Sequence, residues 1–555
     1  MASNHEHSSV EANGDAKAQH RMSIKYDATR VQYGCHSRPL RGLMSTPKSV
    51  TFEGRFGRMF PHCLSPASFG TTDTASRQAL EVLAIKMVPP EGDPPKDGAD
   101  SEESAIPALY TYLGQFVDHD ITFDPVTTFQ CHFDPDGLTD FRTPALDLDN
   151  LYGRGPSDQP YLYDFEGSKG TKFLLGEHIK NKFDKKQRDL QRNAQGRALI
   201  GDPRNDENSI ISQFHAVMLR FHNKVVDKNP HLDNSAGFPE LQRIVRWHYQ
   251  WVVVHDFLER IIQPKVLEGL KTGDFYDKSK LKFYKPKHQA FMPVEYSAAA
   301  YRLGHSMVRP GYRMNDDDAL PFSIFPDLSD TSPDSNFGLT GFRKIEADRA
   351  IDWARFIDIE LRPAGKAEAN EAERKKRLQL AYRIDVSVVK PLSTLPKVVA
   401  EDSPNPSRTA TSCAATSSVS PAARPSRVQW DDAIPTEAEP NPKNKLKSIS
   451  EIPELAIFKD NTPLWTYILA EAALYTKENP VATSDKGIVN VRSPKLGHVG
   501  GRIVAETILG MLFADKSSFL YANPTWTPTI TERALPGTEK EVFKLRDLVA
   551  YAIRD

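Results

Sequence analysis

The chain has too few cysteines for a fold held by disulfides or for a zinc site. Only four occur in 555 residues, and none stands in a CxxC pair or at a Cys/His spacing that binds zinc. The N-terminus is polar and lacks the apolar core of a signal peptide, and no stretch reaches the about 18 apolar residues of a membrane span. We therefore expect a cytoplasmic or non-classically secreted protein without a membrane span.

The chain also lacks an excess of either charge. Its 71 basic and 73 acidic residues leave a formal net charge of −2, whereas chains that bind nucleic acid usually carry a basic surface. Nucleic acid is therefore not an expected partner, and a small molecule is the default substrate. With 39% hydrophobic residues, the chain can bury a large core.

Strand-like alternation is almost absent, whereas helical periodicity recurs along the chain. Leu109, Leu113, Phe116 and Val117 fall at i, i+4, i+7 and i+8, which predicts an amphipathic helix over PALYTYLGQFVDHD. Five further helices are predicted at SIISQFHAVMLRFHNKVVD, ELQRIVRWHYQWVVVHDFLERII, SAAAYRLGHSMV, PLWTYILAEAALY and GGRIVAETILGMLF. The fold is therefore predicted to be mainly α, with little β structure.

Composition divides the chain into four segments. Residues 1–50 are predicted to form a largely disordered tail, and residues 51–400 carry the motifs with candidate chemical roles described below. Residues 401–445 are rich in Ser, Thr, Ala and Pro without periodicity, which is typical of a linker. Residues 446–555 return to a helical pattern.

The string GQFVDHD ends the first predicted helix. It brings Gln115, Asp118, His119 and Asp120 close together, and a histidine beside carboxylates can shuttle protons near neutral pH. In isolation, such a string is more often an Asp-rich helix cap with a surface histidine.

The string FRTPALDLDNLYG is a candidate metal site. Thr143, Asp147 and Asp149 alternate along an extended loop, so their oxygen atoms can converge on one cation. With a carboxylate from elsewhere, such as that of Asp120, this set of hard ligands suits Ca²⁺. An Asp-rich turn is the alternative.

The string GDPRNDENSIISQFH places Arg204 and Glu207 just before a long predicted helix. An arginine held there can stabilise developing negative charge. The alternative is that Asp206 and Glu207 simply cap the helix.

The string AYRLGHSMVRP places His305 on a predicted helix beside the small residue Gly304, which would let a flat ring approach the backbone. A single histidine on an apolar helix is more often structural than a ligand.

Together, the order and spacing of these four strings resemble the animal-type haem peroxidases of the peroxidase–cyclooxygenase superfamily, which also has bacterial and fungal members. The resemblance extends from about Phe52 to the C-terminus. It implies one mainly helical haem peroxidase domain, formed by residues 51–400 and 446–555 and interrupted by the abnormal segment 401–445.

The resemblance also implies a role for each candidate residue around a haem b. These roles are distal base for His119, distal-pocket amide for Gln115, distal arginine for Arg204, iron ligand for His305, propionate contact for Arg302, and ester links to the haem for Asp118 and Glu207. A structural calcium ion would bind Asp120, Thr143, Asp147, Asp149 and the carbonyl of Ala145.

The implied activity is the reduction of H₂O₂ through a ferryl intermediate that oxidises a small organic molecule or a halide, as in a response to oxidative stress. A fatty-acid dioxygenase is one alternative. Such relatives carry a tyrosine three residues before the iron ligand, where this chain has Arg302, and Tyr301 lies one residue earlier. On a helix, that step rotates the phenol by about 100°. A catalytically impaired haem-binding protein is the other alternative.

One family element is missing. The family carries an asparagine in an RNLLRG-like string, which accepts the N–H of the iron-binding histidine, and this chain has no such string. Codons for RNLLRGNVFRL read one base out of frame encode ATSCAATSSVS, which is the sequence from Ala410 to Ser420. We therefore hypothesise that residues 401–432 are an out-of-frame version of the missing helix.

Overall fold

The computed structural model describes residues 54–60, 82–83, 87, 102–122, 139–140, 142–286, 289–316, 321–325, 338–363, 377–393, 462–484 and 486–554. The predictions for the tail at 1–50 and the segment 401–445 lie outside the described residues. Within this part of the chain, no helix is both long enough and apolar enough to cross a membrane.

The described residues form six long helices and several short ones. The long helices are α1 (Leu109–Ile121), α2 (Ser209–Lys228), α3 (Phe238–Val252), α4 (Leu464–Leu474), α5 (His498–Ala514) and α6 (Leu545–Ile553). The short α-helices are Asp149–Tyr152, Leu258–Ile261, Pro264–Glu268, Val294–Ala298, Gly304–Met307, Lys390–Ser393 and Phe519–Ala522. A π turn at Val253–Phe257 joins α3 to the helix at Leu258–Ile261.

Single 3₁₀ turns connect several of these helices. They lie at Pro160–Leu162, Pro203–Asp206, Pro230–Leu232, Lys278–Lys280, Ala300–Leu303, Ala347–Arg349 and Trp353–Arg355.

The strands are short and form small separate sheets. They are β1 (Gly54–Gly57), β2 (Glu103–Pro107), β3 (Thr139–Asp140), β4 (Tyr163–Asp164), β5 (Lys172–Phe173), β6 (Lys271–Thr272), β7 (Phe275–Tyr276), β8 (Met292–Pro293), β9 (Gly311–Tyr312), β10 (Phe322–Ser323), β11 (Leu380–Tyr382), β12 (Lys477–Thr483) and β13 (Gly487–Ser493). One sheet has the order β3-β1-β8, with β1 and β8 parallel, and the other pairs are antiparallel.

The mainly α prediction is confirmed, and five of the six predicted helices match long helices of the structure. Helix α6 and the hairpin of β12 and β13 were not predicted from the sequence. One face of this hairpin buries Val481 against Leu378 and Leu380. Gly487 supplies the positive φ of 71° at its turn.

The predicted continuous helix over residues 297–308 is wrong. The chain instead forms Val294–Ala298, a 3₁₀ turn at Ala300–Leu303 and the single helical turn Gly304–Met307. The break occurs at Ala299, whose φ of −133° and ψ of −67° are not helical. The run of small residues that favours a helix is overridden here by packing, since Ala298, Ala299 and Ala300 are almost fully buried.

Helix α1 is held in the core by α2 and α3. The four apolar residues that predicted it are at most 1% exposed. The ring of Phe116 makes edge contacts with Phe214 of α2 at 5.4 Å and Tyr249 of α3 at 6.0 Å between ring centres. At the start of α2, the side chain of Asn208 accepts hydrogen bonds from the backbone N–H groups of Ile210 and Ile211. The end of α1 is therefore fixed close to the start of α2.

His222 on α2 gives a testable consequence of this burial. It is fully buried, with Nδ1 2.9 Å from the Tyr152 hydroxyl and Nε2 2.6 Å from the carbonyl oxygen of Thr171. Burial lowers its pKa from 6.5 to about 4. The unfolded chain therefore takes up a proton in this pH range that the folded chain does not, so folding free energy is lost as the pH falls from 6.5 towards 4.

We expect His222→Gln to remove about 3 kcal/mol of the fall in unfolding free energy between these pH values. Denaturant titrations at pH 6.5 and pH 4 measure it. The exposed His231 supplies the control, since His231→Gln should leave the difference unchanged. An unaltered pH dependence in His222→Gln would contradict the assignment.

Candidate active site

The imidazole of His119 is buried at the C-terminal end of α1. It is 3% exposed, and its Nδ1 lies 2.8 Å from Oδ1 of Asn205. Its Nε2 lies 3.8 Å from the nearer carboxylate oxygen of Glu207. Burial, reinforced by the positive charge of Arg204, lowers the pKa of His119 from 6.5 to about 4.

Gln115 and Glu207 lie on the same side of the imidazole. Nε2 of Gln115 donates a hydrogen bond to the carboxylate of Glu207. Nδ2 of Asn208 donates to Oε1 of Gln115 at 3.2 Å. The structure thus brings together His119, Gln115 and Glu207, which the sequence analysis had singled out on two separate strings.

Arg204 lies at the end of α1. Its guanidinium group contacts other groups of the protein, whereas the resemblance implies a cation that faces the substrate. Its Nη2 donates to the carbonyl oxygens of Thr122 and, at 3.1 Å, His119. The same nitrogen lies 2.8 Å from Oδ2 of Asp202. A cation beside the last carbonyls of a helix stabilises that end electrostatically. These contacts hold the end of α1 in place.

The carboxylate of Asp202 connects two arginines. It is fully buried and accepts hydrogen bonds from Arg204 and, at 2.6 Å, from Nη2 of Arg142. Burial alone would raise the pKa of Asp202, but the two guanidinium groups hold it well below its ordinary value. Nη1 of Arg142 lies 3.0 Å from the carboxylate of Asp149.

Three carboxylates form the predicted metal site. Ligand atoms of Asp120, Asp147 and Asp149 all lie within 4.8 Å of one another. Asp120 is fully buried, and neither of its carboxylate oxygens has a hydrogen-bond partner in the described part of the chain. Burial raises its pKa, and the two neighbouring carboxylates raise it further. Burial and the charge of Asp149 likewise raise the pKa of Asp147 to about 8.

Thr143 and Ala145 lie in the loop that carries Asp147 and Asp149. Ala145 is buried, and its backbone N–H donates to the carbonyl oxygen of Thr143 at 2.7 Å. This hydrogen bond makes a tight turn in the loop. The turn contains the two further oxygen ligands that the resemblance predicts, Thr143 and the carbonyl of Ala145. The buried carboxylate of Asp120, whose oxygens have no hydrogen-bond partner in the described part of the chain, fits a hard cation such as Ca²⁺.

His305 lies in the turn Gly304–Met307, which packs against α1. Thr111 of α1 donates a 3.5 Å hydrogen bond to the carbonyl oxygen of Met307. The half-buried imidazole of His305 has Nδ1 3.1 Å from the carbonyl oxygen of Arg302. A Cβ added at Gly304 would meet no atom within 4 Å, so there is open space beside the histidine.

Arg302 is turned towards its own segment, where its Nε donates to the carbonyl oxygen of Ser297 at 3.0 Å. Tyr301 lies against α1, with its hydroxyl 3.9 Å from the position of a Cβ on Gly114. Its ring stacks on that of Tyr296 at 4.7 Å between centres. Burial, and then the negative charge of Asp118, raises the pKa of Tyr301. The charge of Asp118 is therefore felt in the segment that carries His305.

Three residues that hold the site together were not predicted from the sequence. These are Arg142, Asp202 and Asn205, whose side chains join the loop at 142–149 and the turn at 203–206 to α1. A partial signal existed for Asp202, since an Asp before a Pro often caps a turn, and Asp202 does accept a hydrogen bond from the N–H of Arg204. The sequence has no local signal for Arg142 or Asn205.

Comparison with known proteins finds similarity to haem peroxidases. Residues 127–329 match the family model of the animal haem peroxidases, a span that contains the acidic loop, Arg204 and His305. A chorion peroxidase of Aedes aegypti is 28% identical over 181 residues, which cover 30% of this chain and 23% of the relative. A thyroid peroxidase of the dog, Canis lupus familiaris, is 25% identical over 122 residues, or 21% of this chain and 12% of the relative.

The chain thus spans less than a quarter of the length of these two relatives.

Among solved structures, peroxidase A of Dictyostelium discoideum has the same fold. The alignment covers 94% of this chain and 96% of that one, with a TM-score of 0.55 and 13% identity. The resemblance to animal haem peroxidases and their helical fold is confirmed.

Asp202 gives a prediction for the integrity of the site. Asp202→Asn removes the shared counter-charge of two buried guanidinium groups, so we expect the unfolding free energy to fall by about 3 to 5 kcal/mol. Asp158→Asn is the matched control, because the Asp158 carboxylate pairs with Arg154 on the surface and should contribute less than about 1 kcal/mol. Equal losses in denaturant titrations of the two variants would refute the role of Asp202.

Proposed function

We propose that this chain is a haem-dependent peroxidase, which reduces H₂O₂ and oxidises a small organic or halide donor. One observation carries the proposal. The buried, neutral imidazole of His119 lies on α1 beside Gln115 and Glu207, and the same helix packs against the turn that bears His305. The similarity to named peroxidases supports the same reaction class.

The residues around His305 fit a haem b. With Nδ1 bonded to a backbone carbonyl, the proton lies on that nitrogen and Nε2 carries the lone pair that can ligate iron. The open space beside Gly304 suits the approach of a flat macrocycle. Asp118 and Glu207, the latter beside His119, are the candidates for ester links, and Arg302 is the candidate for a propionate contact.

A bound haem would supply the redox chemistry of the reaction. This chain's own residues would then move the protons and bind the peroxide. His119 accepts a proton from one oxygen of H₂O₂ and returns it to the departing oxygen, for which a neutral imidazole is required at the start. The amide of Gln115 donates to Glu207 beside this base, and we propose that its remaining N–H orients the peroxide.

Arg204 contributes in a different way from that implied by the resemblance. Its contacts with Asp202 and with the carbonyl oxygens of His119 and Thr122 hold the histidine in place. Its charge also helps to keep the imidazole neutral, since it lowers the pKa of His119. We therefore propose a positioning and electrostatic role for this arginine.

We further propose that the three carboxylates bind a structural Ca²⁺. One buried and two half-buried carboxylates within 4.8 Å of one another repel each other unless they are protonated or bind a cation, and of the three Asp149 forms an ion pair with Arg142. Because Asp120 directly follows His119, an ion there would fix the end of α1. Thr143 and the carbonyl of Ala145 are the proposed additional ligands.

The reaction is tested on haem-supplied protein by stopped-flow absorption after addition of H₂O₂. We expect His305→Ala to lose the haem absorption band of the wild type. His119→Gln should retain that band but react with peroxide about 10² to 10⁴ times more slowly, the usual effect of losing a general base. The exposed His231 again serves as control, because His231→Gln should match the wild type.

Two other outcomes would identify the alternatives. Haem binding without any reaction with peroxide in the wild type would identify a haem-binding protein and refute the proposal. Oxygen uptake with a polyunsaturated fatty acid in the absence of H₂O₂ would identify a dioxygenase. A chain whose reading frame is restored over residues 401–432 is measured in parallel, and a response in that chain alone would support the frame-shift hypothesis.

The metal site is tested separately with calcium. Removal of Ca²⁺ by a chelator should lower the melting temperature of the wild type, and re-addition should restore it, because the ion binds only the folded chain. Asp120→Asn should reduce this difference strongly, whereas Asp158→Asn, on the exposed surface, should leave it intact. A melting temperature that is indifferent to chelator would contradict the calcium assignment.

A further inference from the structure

We propose that Asn205 is a positioning residue that holds the proton of His119 on Nδ1, and that His215 fixes the orientation of the Asn205 amide. The inference deepens the proposed function and rests on it, since it states which nitrogen of His119 is available to a peroxide. Neither residue was singled out by the sequence motifs.

The three side chains form a continuous buried chain. Oδ1 of Asn205 lies 2.8 Å from Nδ1 of His119, and Nδ2 of the same amide lies 3.0 Å from Nδ1 of His215. Asn205 and His215 are fully buried, and His119 is 3% exposed. Asn205 lies in the turn Pro203–Asp206 and His215 on α2, so the amide links α1 to the element packed beside it.

An amide distinguishes its two neighbours because only its nitrogen can donate. The oxygen faces His119, so Nδ1 of that ring must carry the proton that completes the hydrogen bond. Its Nε2 then carries the lone pair and lies towards Gln115 and Glu207. The 3.8 Å between Nε2 and the Glu207 oxygen exceeds hydrogen-bond length, so the carboxylate does not compete for the proton.

His215 favours this orientation of the amide as long as its own proton lies on Nε2, because its Nδ1 can then only accept from the NH₂ group of Asn205. That Nε2 is buried and has no hydrogen-bond partner in the described part of the chain. A reversed amide would place NH₂ against His119 and put that ring's proton on Nε2, where it would block the base. The proton on Nδ1 of His119 and the proton on Nε2 of His215 therefore go together, and the amide of Asn205 couples the two rings.

The first test needs no haem and reads the tautomer itself. Protein with ¹⁵N-labelled histidine is examined by NMR at pH 8, and the His119 signals are assigned by their loss in His119→Gln. We expect a proton on Nδ1 in the wild type, a shift towards a mixture of tautomers in Asn205→Leu, and its retention in Asn205→Asp, which keeps an acceptor oxygen. His215→Leu should shift the signals partway.

The matched control is Asn223→Leu, which removes another amide of α2, one that is hydrogen-bonded to the backbone N–H and carbonyl of Phe173 in the described part of the chain. It should leave the His119 signals unchanged. A proton on Nε2 of His119 in the wild type, or signals that do not respond to Asn205→Leu, would overturn the proposal.

The second test uses haem-supplied protein and two ligands. Binding of HCN requires a base to accept its proton, whereas CO binds reduced haem without proton transfer. Asn205→Leu should slow HCN binding about tenfold to a hundredfold, as expected when an orienting partner of a functional histidine is lost. It should leave CO binding unchanged, and Asn205→Asp should restore the HCN rate.

The two tests separate the two claims. Slower binding of both ligands would show a collapsed pocket and overturn the positioning role. If the NMR result holds but the wild type does not react with H₂O₂, the proposed function fails and the hydrogen-bond assignment stands.

Discussion

The buried carboxylate of Asp202 is the group on which the arrangement of the site depends. It is shared by the guanidinium groups of Arg142 and Arg204, and each of these makes a second contact that matters. Arg142 reaches Asp149 in the acidic loop, and Arg204 reaches the last carbonyls of α1. Two buried cations of this kind are tolerated only with a buried counter-charge. One carboxylate thus joins the loop, the turn at Pro203–Asp206 and the end of α1.

Helix α1 in turn carries residues of three different sites. Three consecutive residues at its end face three different neighbours. The charge of Asp118 acts on Tyr301, His119 faces Asn205 and Glu207, and Asp120 faces the loop that carries Asp147 and Asp149. Because residues on a helix are separated by about 100°, consecutive side chains must point in different directions. A single short string therefore serves three sites, and a shift of this helix would disturb all of them.

The sequence predicted the parts of this molecule whose signals are local. The apolar spacing of α1 and the alternating acids of the loop are readable over a dozen residues or fewer, and both are present in the structure. The contacts of Arg204 were not predictable, because the resemblance gives its position and not the direction of its side chain. Asn205 and His215 meet only after the turn and α2 have packed together.

The break at Ala299 and the hairpin of β12 and β13 were missed for a related reason. The alanines before His305 favour a helix by local propensity, and tertiary packing overrides that preference. The hairpin is stabilised by burial of Val481 against Leu378 and Leu380, about a hundred residues earlier in the chain. Such long-range contacts leave no periodic signal in the strands themselves.

The most direct test of this account is an experimental structure of the protein supplied with haem and calcium. The account predicts iron ligated by Nε2 of His305, with Nε2 of His119 facing the opposite side of the haem and an ion among Asp120, Asp147 and Asp149. Haem bound through another residue, or a His119 ring turned away from it, would contradict the account.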